Sequence, residues 1–153
     1  MIKGTVIRPL KKHCDERGFL CELLRSDSED FKKILSSGFT MCYYSVSPKG
    51  VIRAWHRHPK TKQMDTFIVL QGMAKVCVFN EETNELDEHF IGENNPISLT
   101  IPGEHWHGFK AVSEKPVILL NFPDKIYNYK QPDEERLPPN SKKIPYDWAI
   151  KMK

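Results

Sequence analysis

The chain has 153 residues, 39% hydrophobic and 28% charged, a composition for one globular domain that buries its own core rather than for a disordered or membrane-embedded chain. Its 23 basic and 20 acidic residues leave a net charge of +3, and no Lys/Arg block interleaves with aromatics, so nucleic acid is not an expected partner. The longest apolar runs, such as Pro116-Val117-Ile118-Leu119-Leu120, are too short to span a bilayer, which excludes a helical membrane anchor among them.

The start, Met1-Ile2-Lys3-Gly4, has no apolar stretch of the kind that opens a secretory signal, so a cytoplasmic location is expected. Cys14, Cys21, Cys42 and Cys77 show no CxxC spacing and read as reduced thiols rather than a disulfide framework.

In chain order, a strand-like run at Thr5-Val6-Ile7 is followed by a turn at Asp15-Glu16-Arg17-Gly18, which leads into Phe19-Leu20-Cys21-Glu22-Leu23-Leu24. A short helix is expected over Ser28 to Ser37, capped by Ser28, with Phe31, Ile34 and Leu35 on one face. Strands are then expected at Phe39 to Val46, Val51 to His56, Asp65 to Leu70, Met73 to Phe79, His89 to Ile91, Ile97 to Ile101 and Val117 to Phe122. Turns at Pro48-Lys49-Gly50, Gln71-Gly72, Asn80 to Asn84, Asn94-Asn95-Pro96 and Pro102-Gly103 separate them, the punctuation of an antiparallel sandwich or barrel. Beyond Tyr129 the chain is polar and proline-rich, an extended tail whose Ile144-Pro145-Tyr146-Asp147-Trp148 carries enough aromatic surface to dock.

Two His-x-His pairs carry the chemistry. In Arg53-Ala54-Trp55-His56-Arg57-His58 the i, i+2 spacing puts His56 and His58 on one strand face; Arg53 falls on the other unless a bulge turns it inward. Glu104-His105-Trp106-His107 supplies the second pair, and two such pairs converging in a barrel place imidazoles for proton transfer or for a metal. His13 and His89 lie in polar stretches and are expected to be solvated, and Trp55, Trp106 and Phe109 to be core.

Gly50-x5-His56-x-His58 with Asp65 and Gly72, then Pro102-Gly103 leading to His107, resembles the paired motifs of the cupins. Within them, Asp15-Glu16-Arg17-Gly18-Phe19, Val51 to His56, Ile101-Pro102-Gly103, His107-Gly108-Phe109 and Tyr127-Asn128-Tyr129 resemble the RmlC-like dTDP-4-dehydrorhamnose 3,5-epimerases over most of the chain. The resemblance implies an all-β jelly-roll barrel with one short helix and an extended C-terminal tail. It implies a single cupin domain over 1–153: N-terminal strands and helix in 1–38, barrel core in 39–123 and tail in 124–153.

It also implies an isomerase acting on a dTDP-4-keto-6-deoxy sugar, with no cofactor. His56 would be the base, Tyr127 or Tyr129 the acid, Arg17 and Glu22 nucleotide ligands, and Arg53 a diphosphate ligand; His58, Asp65 and His107 would line the sugar pocket. A homodimer follows by the same resemblance, since the strand with Arg17 and Glu22 completes a neighbouring site in that family. Asp65 stands where those enzymes carry a pocket lysine, and Val76 near where they carry an aspartate. The C-terminal aspartate that pairs with their catalytic histidine has no counterpart by position, leaving Asp147 as the tail carboxylate available to replace it.

Two other readings fit the same residues. Arg53-x-x-His56-x-His58 is also the pattern of sugar 3,4-ketoisomerases, and His56, His58, Asp65 and His107 form an N/O ligand set for a divalent metal.

Overall fold

The structure is a computed structural model that describes residues 1–27, 32 and 40–150. Twelve strands run in order: β1 (Val6–Pro9), β2 (Lys12–Asp15), β3 (Gly18–Cys21), β4 (Tyr43–Ser47), β5 (Ile52–Arg57), β6 (Asp65–Gln71), β7 (Met73–Asn80), β8 (Glu85–Gly92), β9 (Ile97–Ile101), β10 (Trp106–Ala111), β11 (Val117–Asn121) and β12 (Glu135–Arg136). Two five-stranded antiparallel sheets form, ordered β1-β9-β6-β11-β4 and β12-β5-β10-β7-β8, and the β2-β3 hairpin forms a third small sheet. This is the jelly roll expected. Among the described residues no helix is long and apolar enough to cross a membrane, and the helix expected over Ser28 to Ser37 falls almost wholly outside them.

Strand alternation fills the space between the sheets. Phe67 and Val69 of β6, Leu99 and Ile101 of β9, and Val117 and Leu119 of β11 meet Val76 and Val78 of β7 and Phe109 of β10, all buried. The other face of β7 is buried too: Cys77 and Phe79 join Trp55, Trp106, Ile144 and Trp148 beneath the tail. Burial on both faces explains why Met73 to Phe79 reads as a near-continuous apolar run rather than an alternating one. The expected strand at His89 to Ile91 is longer, because all eight residues of β8 pair with β7 in continuous register.

The N-terminal and tail segments both add strands to the two large sheets. β1 pairs with β9, and β12, within the tail, pairs with β5. The rest of the tail is pinned through its aromatic anchor: Trp148 packs on Trp55 with ring centroids 4.9 Å apart, and the Trp148 carbonyl accepts from Lys110 Nζ at 2.8 Å. Buried Lys75 donates to the Ala149 carbonyl at 3.2 Å, so its ammonium is satisfied. Trp148→Ala is expected to cost about 3 kcal/mol, the usual loss for a buried Trp, and to lower the melting temperature by roughly 6–12 °C in a thermal scan.

Candidate active site

The site begins with a register slip. On β10, His107 and Phe109 are two residues apart and point the same way; their partners on β5 are His56 and Arg53, three residues apart. The extra residue in β5 is a bulge, and it turns Arg53 onto the face of His56, where a regular strand would oppose them. Trp55, next to His56 in sequence, keeps the opposite face and points into the tail cluster, 1% exposed.

Gly108 permits this close approach, because a Cβ there would lie 2.3 Å from Ala54 Cβ and 2.7 Å from the Arg53 carbonyl oxygen. Gly108→Ala must push β5 outward. The expected cost is about 1–3 kcal/mol in urea unfolding, with a fall in turnover of at least tenfold as Arg53 and His56 shift.

Three histidines converge on one buried carboxylate. Asp65 Oδ2 lies 3.0 Å from His107 Nε2, 3.5 Å from His58 Nε2 and 4.0 Å from His56 Nε2. Its Oδ1 accepts from Asn121 Nδ2 at 2.7 Å and Gln63 Nε2 at 3.1 Å. The remaining ring nitrogens of two of the histidines are anchored on backbone: His107 Nδ1 faces the His105 carbonyl at 2.9 Å and His58 Nδ1 the Asp133 carbonyl. Gly103, in the loop before β10, holds this region close: its carbonyl accepts from His58 N at 2.6 Å.

The electrostatics separate the histidines. Burial, reinforced by neighbouring His107, pulls His56 well below its ordinary value against the attraction of Asp65, so His56 is neutral near pH 7. Burial also opposes the charged form of His58, but the Asp65 hydrogen bond and charge and the Asp133 carbonyl outweigh it and raise that ring. Burial works to raise Asp65, yet hydrogen bonds from His107 and His58 and the charges around it hold it well below the usual carboxylate range. A neutral imidazole therefore stands beside an ionised aspartate, and its Nε2 is too far from that aspartate to be tied up by it.

Two cavities meet at His56. The larger, about 640 Å³, is lined by Arg53, Tyr43, Ser45, Phe67 and Phe109 and walled on one side by Glu134 to Pro139 of the tail. The smaller, about 320 Å³, brings in His58, Gln63, Tyr127 and Tyr129, and shares Tyr43, His56, Glu134 and Arg136 with the first. Arg53 is held by its Nε on Ser47 Oγ at 3.0 Å, with its terminal nitrogens toward the larger cavity unpaired among the described residues.

The expected site residues thus divide. Arg53, His56, His58, Asp65 and His107 come together, and Tyr127 and Tyr129 lie at the smaller cavity, stacked edge-on at 4.9 Å with Tyr129 86% exposed. Arg17 and Glu22 line neither cavity: Arg17 is exposed and paired with Asp15, and Glu22 is exposed and paired with Arg25.

Asp147 is exposed on the outer side of the barrel, accepting from Ala149 N, and does not reach His56; Asp65 is the carboxylate that does. Only His107 of the second His pair enters the centre, because His105 precedes β10 in a turn and contributes its carbonyl. His89, expected in solvent, is half-buried on β8, its Nε2 without a partner among the described residues and its pKa lowered, chiefly by burial.

Tyr43, Gln63, Asn121, Glu134 and Arg136 were not singled out in the sequence. For Tyr43 a signal existed, since alternation over Phe39 to Val46 puts it on one face with Ser45. Arg136 carried none, because nothing in Pro132 to Pro139 marks a strand.

A histidine-carboxylate centre between the sheets of a jelly roll, opening on a cavity with a free arginine, defines a cupin of the RmlC type. The family model of the polysaccharide biosynthesis C-terminal domain matches residues 13–135. A probable low-salt glycan biosynthesis epimerase of Haloferax volcanii is 41% identical over 99% of this chain and 97% of its own. The spore coat polysaccharide biosynthesis protein SpsL of Bacillus subtilis is 35% identical over 100% of both chains.

Among solved structures, a dTDP sugar isomerase from Desulfovibrio desulfuricans superposes with a TM-score of 0.84 at 26% identity, covering 95% of this chain and 91% of that one. Solved dTDP-4-dehydrorhamnose 3,5-epimerases from Elizabethkingia anophelis and Sulfolobus tokodaii share the fold. The chain belongs to the polysaccharide biosynthesis C-terminal domain family, and its class is that of the epimerases and isomerases.

Proposed function

We propose that this protein is a nucleotide-sugar epimerase or isomerase that acts on a dTDP-4-keto-6-deoxy sugar, with His56 as the base. The observation that carries the reading is a neutral, half-buried His56, its side chain 22% exposed, whose Nε2 is free of a strong hydrogen bond and which faces the same cavity as Arg53. A hydrogen on the carbon next to a ketone is acidified because its loss gives an enolate, and a neutral imidazole suits its removal near pH 7. Arg53 binds the diphosphate through its terminal nitrogens. The enolate oxygen is stabilised by Arg136, at the junction of the two cavities, and by His58, which lines the smaller one.

The test is incubation of the protein with dTDP-4-keto-6-deoxyglucose in heavy water. Deuterium at C3 and C5 with inverted configuration supports epimerisation, and a 3-keto product would make the protein a 3,4-ketoisomerase, the reading favoured by the two histidines of Arg53-x-x-His56-x-His58. No exchange with any 4-keto nucleotide sugar overturns both.

The β2-β3 hairpin, with Phe19 60% and Leu20 64% exposed, supports a homodimer in which Arg17 and Glu22 reach the site of a second copy. Phe19→Glu with Leu20→Glu is expected to shift the sedimentation coefficient from dimer to monomer.

A second reading rests on donor geometry. The ligand atoms of His56, His58, Asp65 and His107 lie within 4.8 Å of one another, and two of the three rings turn their other nitrogen to a backbone carbonyl, as metal-bound histidines do. These four side chains would hold a divalent cation, which would supply a Lewis acid for the ketone oxygen. Stoichiometric metal in protein purified without added metal, together with a lower melting temperature in a chelator, would establish it.

A further inference from the structure

Inversion at a carbon needs two groups on opposite faces of the sugar, one to take a proton and one to give a proton back. His56 belongs to β5, in the sheet β12-β5-β10-β7-β8. On the facing wall, the sheet β1-β9-β6-β11-β4, one phenol lines both cavities that meet at His56: Tyr43, on β4. A sugar held between the sheets therefore has the imidazole on one side and this phenol on the other. Tyr127 and Tyr129 lie outside the strands, in the segment after β11, and line the smaller cavity only.

The hydrogen bonding of Tyr43 leaves its proton available. Asn121 is its direct cross-strand partner and donates from Nδ2 to the Tyr43 hydroxyl at 2.8 Å. The same NH2 group donates to Asp65 Oδ1 at 2.7 Å. The amide cannot turn round, because its oxygen would then face the ionised carboxylate. The phenol is thereby made an acceptor toward Asn121, and its own O–H has no acceptor among the described residues. Asn121 Oδ1 is buried with no partner among the described residues.

We propose that Tyr43 is the proton donor of the reaction, opposite His56, and that Asn121 positions it. This deepens the functional reading above and rests on it. In the step, His56 Nε2 takes the proton from the carbon beside the ketone, and the C–H electron pair becomes the enolate. The Tyr43 O–H bond then breaks toward the opposite face of that carbon, forming the new C–H bond and leaving a phenolate that accepts the Asn121 N–H. The imidazolium loses its proton to solvent and the phenolate regains one, so the site returns to its starting state. Burial, then the charge of Asp65, push the Tyr43 hydroxyl up to about 12, with the Asn121 hydrogen bond working the other way, so the phenol is fully protonated at neutral pH and its phenolate readily reclaims a proton.

Tyr43→Phe tests this against both exchange and product. The expected result, with dTDP-4-keto-6-deoxyglucose in heavy water, is a fall in inverted product of at least 100-fold in kcat with KM within about twofold, while deuterium still enters recovered substrate with its configuration retained. His56 still removes and returns a proton on its own face in that variant, which a merely structural role for Tyr43 would not allow. Product formation within threefold of wild type overturns the assignment, as does loss of exchange together with product.

Tyr127→Phe and Tyr129→Phe provide a check that does not depend on Tyr43→Phe folding. In both, product formation and exchange are expected to change together, whatever the size of the change, and retained exchange without inversion in either one moves the donor there and overturns the assignment. Absence of exchange in the wild type defeats the functional reading itself; exchange in the wild type with unaltered product in Tyr43→Phe defeats this assignment alone.

Discussion

Asp65→Asn is expected to destabilise the protein by about 3–5 kcal/mol, the penalty for removing one partner of a buried charge network and leaving the rest uncompensated. A carboxylate buried to 1% receives Asn121 and Gln63 on one oxygen and faces His107, His58 and His56 on the other. An asparagine there presents an NH2 group to donors that need an acceptor, so at least one contact becomes repulsive. Urea unfolding at pH 7 measures the loss, and a change below 1 kcal/mol would show that the centre is not a tightly coupled network.

The pH dependence has a definite sign. The folded-state pKa of Asp65 is depressed, so its contribution is present above the ordinary carboxylate value of about 3.9 and is lost as pH falls through the folded value. For His58, whose folded value is raised, the contribution is full below about 6.5 and is lost as pH rises through its folded value. Between these limits both contributions overlap, and Asp65→Asn should have its largest effect there.

His56→Ala should abolish deuterium exchange and reduce turnover by at least 100-fold to 10,000-fold, the range over which a positioned general base acts. It should do so with modest loss of stability, since His56 makes no hydrogen bond to Asp65 at 4.0 Å and leaves behind no strong partner. Protonation of His56 inactivates it, and burial with His107 opposes that protonation. The acid limb of kcat/KM is therefore expected below the ordinary histidine value of about 6.5, and a limb above pH 7 would exclude His56 as the titrating base.

Much of this architecture can be read from residue patterns, for reasons that also explain the failures. Strand alternation and Gly/Pro/Asn turns are local, so most of the barrel strands are visible within a few residues of their ends. His56, His58 and His107 are visible because a His-x-His spacing is chemically unusual on a strand. Arg53 is harder, since its inward orientation depends on a bulge defined by the neighbouring strand's register, which no local pattern encodes.

Asp65 is visible as a carboxylate at the head of an apolar strand, but its role as the hub of three histidines depends on strands far apart in sequence. Tyr43 and Asn121 are ordinary strand residues until β4 and β11 are paired. The two-residue strand β12 has no period to detect, and it exists because Glu135 and Arg136 meet Arg57 and His56 across an open edge.

That last strand has an evolutionary corollary. One wall of the larger cavity is made by Glu134 to Pro139, a stretch that contributes nothing to the packing between the sheets and is fastened further along by Ile144 and Trp148. This wall is thus added at the edge of one sheet, and the packing between the two sheets does not depend on it. A ribbon of different bulk or charge would reshape that wall while leaving His56, Asp65 and the opposite wall in place, so under the proposed function substrate range should drift faster than reaction type.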